Sequence, residues 1–164
     1  MKKLLLLMIA LLTMGVSCKK SNPDPVPTPF ARYTLGGVTT TLHYSSSFSK
    51  DFCSSSTFCC RFYASEDTSK KETMKIGIPG DPLVGYVYYS GMNRFSCFYI
   101  NPSGVRYDMT SSDTSLFTVV FTQWDGQGGW GKGHFSGWMK SPTNDSILFQ
   151  NGYFENKIWT MGSK

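Results

Sequence analysis

The sequence predicts an all-β fold, an antiparallel sandwich or barrel of about eight to ten short strands. Three observations predict it. Apolar residues after position 29 recur with period two. Phe, Tyr, Thr and Val dominate the runs, and these side chains suit a pleated surface. Glycine, proline and asparagine punctuate the chain at the intervals a strand-and-turn fold needs.

The alternation is visible run by run. Met74, Ile76 and Ile78 alternate with Lys75 and Gly77, and Phe117, Val119 and Phe121 alternate with Thr118 and Val120. Phe58, Cys60 and Phe62 share one side of their run, with Cys59, Arg61 and Tyr63 opposite, and Phe95, Cys97 and Tyr99 repeat the pattern. Gly36-Gly37 separates Arg32–Leu35 from Val38–Leu42 as a two-residue hairpin turn would. Pro79-Gly80-Asp81-Pro82, Ser90-Gly91-Met92-Asn93 and Asn101-Pro102-Ser103-Gly104 break further strands, and Asn151-Gly152 is expected to turn or bulge the last pair. No long window carries a helical period; Ser111 to Leu116 has room for a single turn. Ser45 to Thr57 is polar and serine-rich and is expected to be a long loop. No internal repeat is evident.

The N-terminus has a different character. Met1-Lys2-Lys3 is a basic start, followed by an apolar run from Leu4 to Val16 broken only by Thr13. This pattern fits an export signal of seventeen residues. It is short of the roughly 20 residues that span a bilayer. Gly15-Val16-Ser17-Cys18 resembles a lipobox, although Gly15 stands where a large aliphatic residue is usual. Cys18 is therefore the expected lipidation site, its acyl chains (palmitate among them) holding the mature protein to a membrane. Residues 18–29 then form a proline-rich tether. Pro23, Pro25, Pro27 and Pro29 forbid helix and favour polyproline II. At about 3.1 Å per residue this segment would hold the domain roughly 25 Å from the bilayer.

Residues 30–164 are the size of one domain. The formal charge is +5, and it falls to +3 once Lys2 and Lys3 leave with the signal. Those charges are scattered, which argues against a nucleic-acid partner. Cys53, Cys59, Cys60 and Cys97 remain after Cys18, an even number that suggests two disulfides in an exported chain. Free core thiols are the alternative. Metal-ligand spacing is absent, and the chain holds only 2 histidines, so neither a metal site nor a cofactor is expected.

The stretch Asp125 to Gly133 contains both G-x-G-x-x-G and G-x-x-x-x-G-K patterns. Phosphate binding by these patterns needs a following helix N-terminus. Here His134-Phe135-Ser136-Gly137-Trp138 follows, with strand character, so a glycine-rich hairpin is the better explanation. Trp124, Trp130 and Trp138 belong to that hairpin and are the candidate binding residues, with Trp124 expected to face outward. Exposed tryptophans bring large contact area at low entropy cost. Tyr86, Tyr88, Tyr89 and Tyr107 could extend such a surface; filling of a second buried layer is the competing role for all these aromatics.

Signs of catalysis are weak. His43 and His134 are the available histidine bases, and neither lies in a known motif. No G-x-S-x-G elbow occurs. Asp125, Asp145 and Glu155 are the acids available to a hydrolase. A non-catalytic envelope module binding a glycan or an envelope protein is the expected function. A polysaccharide hydrolase using carboxylates and a coat protein with no ligand are the alternatives.

A lipobox-like cysteine, Lys19-Lys20, a proline-rich tether and an all-β domain together resemble small lipoproteins common in Bacteroidetes. The C-terminal third is similar to an uncharacterised family of that group through Trp124-Asp125, Gly133-His134-Phe135-Ser136-Gly137 and Asn151-Gly152-Tyr153-Phe154. The resemblance implies an outer-membrane-anchored envelope lipoprotein and carries over no catalytic residues. Surface-displayed members often carry an acidic stretch after the lipidated cysteine. Lys19-Lys20 stands there instead, which leaves the periplasmic face and the cell surface equally open.

Overall fold

A computed structural model describes residues 28–54, 57–63, 72–109 and 116–158, with backbone only for 46–54 and 57. The chain is all-β, with no helix among the described residues. Eleven strands follow in order: β1 (Phe30–Leu35), β2 (Val38–Leu42), β3 (Tyr44–Ser54), β4 (Thr57–Tyr63), β5 (Thr73–Pro79), β6 (Val87–Tyr89), β7 (Ser96–Ile100), β8 (Arg106–Met109), β9 (Thr118–Trp124), β10 (Trp130–Lys140) and β11 (Ser146–Lys157). The count is one above the eight to ten expected. The segment read as a serine-rich loop is largely β3, an edge strand paired only with β4. Backbone hydrogen bonds hold an edge strand without apolar alternation, so its pattern carried no signal. The turn envisaged at 111–116 falls mostly outside the described residues.

The sheet runs β2-β1-β11-β10-β8-β7-β5-β4-β3 and curls until it is nearly closed into a barrel-like shape. Its described pairings are all antiparallel. Two features bend it round. One residue, His43, carries the chain from β2 at one edge to β3 at the other. The Ser45 hydroxyl then donates to Asn156 Oδ1 at 2.9 Å, drawing β3 toward β11. Strand β10 is long enough to serve two partners on one side, β9 along Gly131–Ser136 and β8 at Met139–Lys140. Gly36 and Gly37, with φ of 54° and 82°, make the expected β1–β2 hairpin, closing on Leu35 opposite Val38. Asn151, with φ of 51°, lies in an irregularity of β11 that shifts the register against both β10 and β1.

The alternating residues fill the interior as expected. Phe58, Cys60 and Phe62, then Met74, Ile76 and Ile78, then Cys97 and Tyr99, then Val119 and Phe121 all join one core. Aromatic rings dominate it. Phe149 lies 5.1 Å from Tyr33, 5.2 Å from Tyr99, 6.0 Å from Phe117 and 6.1 Å from Phe135, centroid to centroid. The pairs are mostly tilted or edge-on, the arrangement favoured by ring quadrupoles. Buried polar atoms are answered: the Tyr99 hydroxyl donates to Glu72 Oε1 at 2.6 Å, and the Tyr33 hydroxyl donates to the same oxygen.

The cysteines correct the expectation of two disulfides. Cys60 and Cys97 are free and buried. Both lie opposite Ile76, one on each flanking strand. Two strand spacings separate their Cα atoms by about 9.6 Å, beyond the roughly 7 Å a disulfide can bridge. Burial pushes both thiols up, Cys97 from 9.0 to about 12. Below pH 9 native and unfolded chains both hold these protons. Above it the unfolded chain releases them first, so stability falls as pH rises from about 9 toward 12, by up to roughly 1.4 kcal/mol per pH unit for each thiol. Tyr33 and Tyr99, also raised by burial, act in the same direction at higher pH. Urea midpoints should therefore drop between about pH 8 and pH 11; a constant midpoint would contradict the burial of these groups.

Candidate binding surface

The three tryptophans do not form one surface. Between β9 and β10 the pairing passes from Gln123–Lys132 to Phe121–Gly133, leaving Thr122 as an extra residue. This irregularity resets the alternation beyond it. Trp124, expected to face outward, turns to the core side instead. It packs edge-on against Phe121 and Phe58, each with centroids 5.5 Å away. Gly133 makes room for the irregularity: a Cβ there would lie 2.4 Å from the Val120 carbonyl oxygen.

Trp130 and Trp138 are both on the outer side of β10. Eight residues of strand put them about 26 Å apart. Trp130 is half-buried beneath the Lys157 ammonium, which lies 5.1 Å from the ring centroid. Trp138 is exposed and borders a depression of about 340 Å³ with Leu35, Gly36, Ile147 and Leu148. Of the tyrosines that could have extended the surface, Tyr88 and Tyr107 are buried, whereas Tyr86 and Tyr89 are exposed. Between the two outer tryptophans, the His134 ring packs at a tilt against Tyr153, centroids 5.2 Å apart, and Tyr153 lies 5.6 Å from Phe30.

The acids proposed for hydrolysis are also scattered. Asp125 Oδ2 accepts from Gln123 Nε2 at 2.7 Å and from the Trp130 amide at 3.1 Å, so it closes the β9–β10 turn. Asp145 belongs to the β10–β11 turn and accepts from the Thr143 hydroxyl. Glu155 pairs with Lys132 at 3.1 Å on the outer face. The glycine-rich stretch is a hairpin turn followed by strand. Its Gly128 amide is spent on the Ile158 carbonyl, and Gly129 accepts from the Ile158 amide. His43 is exposed in the link between β2 and β3, and His134 is exposed on β10. Among the described residues no group of three or more His, Cys, Asp or Glu could hold a metal ion.

One depression gathers mixed chemistry. It encloses about 470 Å³ and is lined by Phe58, Asp81, Trp124, Asp125, Gly126 and Gln127. The lining comes from the start of β4, the turn after β5 and the β9–β10 turn. Phe58, which is itself buried, and half-buried Trp124 form its apolar part. Asp81, Asp125 and Gln127 are exposed around it. Its volume lies within the range of small-molecule sites, about 300–1,000 Å³. Asp81, Gln127 and Phe58 were not marked by the sequence. Pro79-Gly80-Asp81-Pro82 declares a turn, and nothing local tells which distant turn it will face. Searches against known protein families, curated proteins and solved structures find no match to this chain.

Proposed function

We propose that this protein is a membrane-anchored envelope module that binds a glycan, without catalysis, in the depression beside Trp124. The observation that carries the reading is the meeting of Trp124 and Phe58 with Asp81, Asp125 and Gln127 around one volume. Sugars present both an apolar ring face and hydroxyl donors. Aromatic side chains suit the first, and carboxylate and amide oxygens suit the second. Asp125 is partly committed to its turn, so Asp81 and Gln127 are the freer hydrogen-bonding groups. A glycan array followed by calorimetry on the strongest ligand tests this. Asp81→Ala and Gln127→Ala should each weaken binding about tenfold, the loss of one good hydrogen bond. Binding unaffected by either change would reject this site. The second reading, a hydrolase, is favoured by Asp81 and Asp125 sharing the depression; release of new reducing ends from the same ligands would select it.

Anchoring belongs to the same proposal. Lipidation at Cys18 would fix residues 30–164 outside the cytoplasm on the tether of residues 18–29, and the resemblance to Bacteroidetes lipoproteins supports that placement. In such a compartment one disulfide fits the remaining cysteines, between Cys53 on β3 and Cys59 on the adjacent β4. Cys59 is not among the free thiols, and it lies on the side of β4 away from Cys60. Intact-mass analysis of the native protein should show an acylated Cys18 as the first residue and a deficit of two hydrogens. An unmodified Met1 start would reject the anchor, and four free thiols would reject the bridge.

A further inference from the structure

A second depression, of about 250 Å³, lies on the outer face of the sheet and shares no residue with the one beside Trp124. Thr118 and Val120 of β9, His134 and Ser136 of β10, and Asn151 of β11 line it. The irregularity in β11 sits at its edge. Between the pairs Phe135–Gly152 and Gly137–Phe149, Ser136 faces two residues, Gln150 and Asn151. One extra residue of this kind bends a strand and re-aims a side chain, and such bulges gather next to functional sites.

Among the described residues three non-glycine positions have positive φ. Arg94 and Asn144 lie in links between strands, whereas Asn151, at 51°, lies inside one. Glycine takes this conformation without strain and is the usual residue at a left-handed bulge position. Asparagine accepts local strain there and brings a carboxamide to the depression.

That carboxamide has no hydrogen-bond partner among the described residues, and neither has the His134 imidazole, which packs against Tyr153. The Thr118 hydroxyl donates to the Ser136 carbonyl oxygen at 3.2 Å, and the two hydroxyls lie 3.5 Å apart. Both hydroxyl oxygens keep acceptor lone pairs. No charged side chain lines the depression. Further along the face Glu155, which accepts from the Tyr153 hydroxyl, is paired with Lys132 at 3.1 Å. Neutral donors and acceptors beside the apolar Val120 suit an uncharged, hydroxyl-rich ligand. A carboxamide sets one donor group beside one acceptor, which matches two neighbouring hydroxyls of a pyranose. The volume falls just below the range of drug-sized sites, about 300–1,000 Å³, and so matches a single sugar residue.

We propose that Asn151, with His134, Ser136 and Thr118, forms a second carbohydrate subsite that takes one neutral pyranose residue. It is separate from the depression beside Trp124 and does not depend on binding there.

The test uses the full mature protein, with glucose, galactose, mannose and N-acetylglucosamine as probes at millimolar concentration. At least one of them should shift the side-chain amide resonances of Asn151 and the backbone amides of His134 and Ser136. Its affinity should not change with salt, since no charge takes part. Asn151→Gly should bind that sugar at least tenfold more weakly. It should keep its melting temperature within a few degrees, because relief of strain offsets the greater freedom of glycine in the unfolded chain. His134→Ala trims only an exposed ring and is the second variant, expected to weaken binding severalfold. Asp81→Ala should leave these shifts intact, which keeps failure here distinguishable from failure of the depression beside Trp124. Equal affinity of wild type and Asn151→Gly, or no shift at these positions with any of the sugars, would overturn the proposal. A markedly lower melting temperature of Asn151→Gly together with unchanged binding by His134→Ala would overturn it too, by giving the asparagine a structural task alone.

Discussion

Replacing Gly137 by alanine is expected to remove about 3 kcal/mol or more of stability, a large part of the roughly 5–15 kcal/mol available to a domain. Two effects combine at this position. Its φ is 130°, where a side chain is strained. A Cβ would also lie 2.1 Å from the Leu116 carbonyl oxygen and 2.6 Å from the Phe117 Cα. Both are backbone atoms at the approach to β9, so relief requires moving that strand away from β10. Gly126 is the control, because its φ of 78° carries strain while nothing lies within 4 Å of its would-be Cβ. Gly126→Ala should cost about 1 kcal/mol, the left-handed penalty alone. Urea denaturation of both variants measures the difference. Equal losses would show that close packing at Gly137 contributes nothing.

Phe149→Ala is the second large effect, with an expected loss of about 3–5 kcal/mol. The ring has no exposed surface and touches four other aromatic rings across the interior. Truncation removes its transfer energy and leaves a void that rigid rings fill poorly. Trp138→Ala offers a matched contrast, since it also deletes a large aromatic but from the outer face. It should cost less than about 1 kcal/mol. Comparable urea midpoints for the two variants would contradict the burial assigned to Phe149.

The fold was legible where side-chain alternation carried it. Met74, Ile76 and Ile78, and Val119 with Phe121, point inward as their spacing requires. Gly36-Gly37 closes a hairpin for the reason its composition suggests. The sequence was silent where backbone pairing alone defines a strand, as in β3. It misled at Trp124, because one extra residue at Thr122 reverses which side faces inward, and strict alternation cannot foresee such a shift. Cysteine parity misled in the same way. An even count left every pairing open, and only the strand order shows that Ile76 lies between Cys60 and Cys97. The candidate site was the least legible part. Trp124 and Asp125 were marked, but Asp81 and Gln127 acquire meaning only when two turns distant in sequence are brought to one end of the sheet.

The pairing of β1 with β11 joins the beginning of the described chain to its end, with Phe30 opposite Glu155. A polypeptide made from its N-terminus must therefore keep its first hairpin waiting until almost the last residues have been added. Such distant partners make assembly slow and leave β1 unsatisfied meanwhile. Any product ending before Ser146 would lack the neighbour that seats both β1 and β10, and its uncovered strand edges would invite self-association.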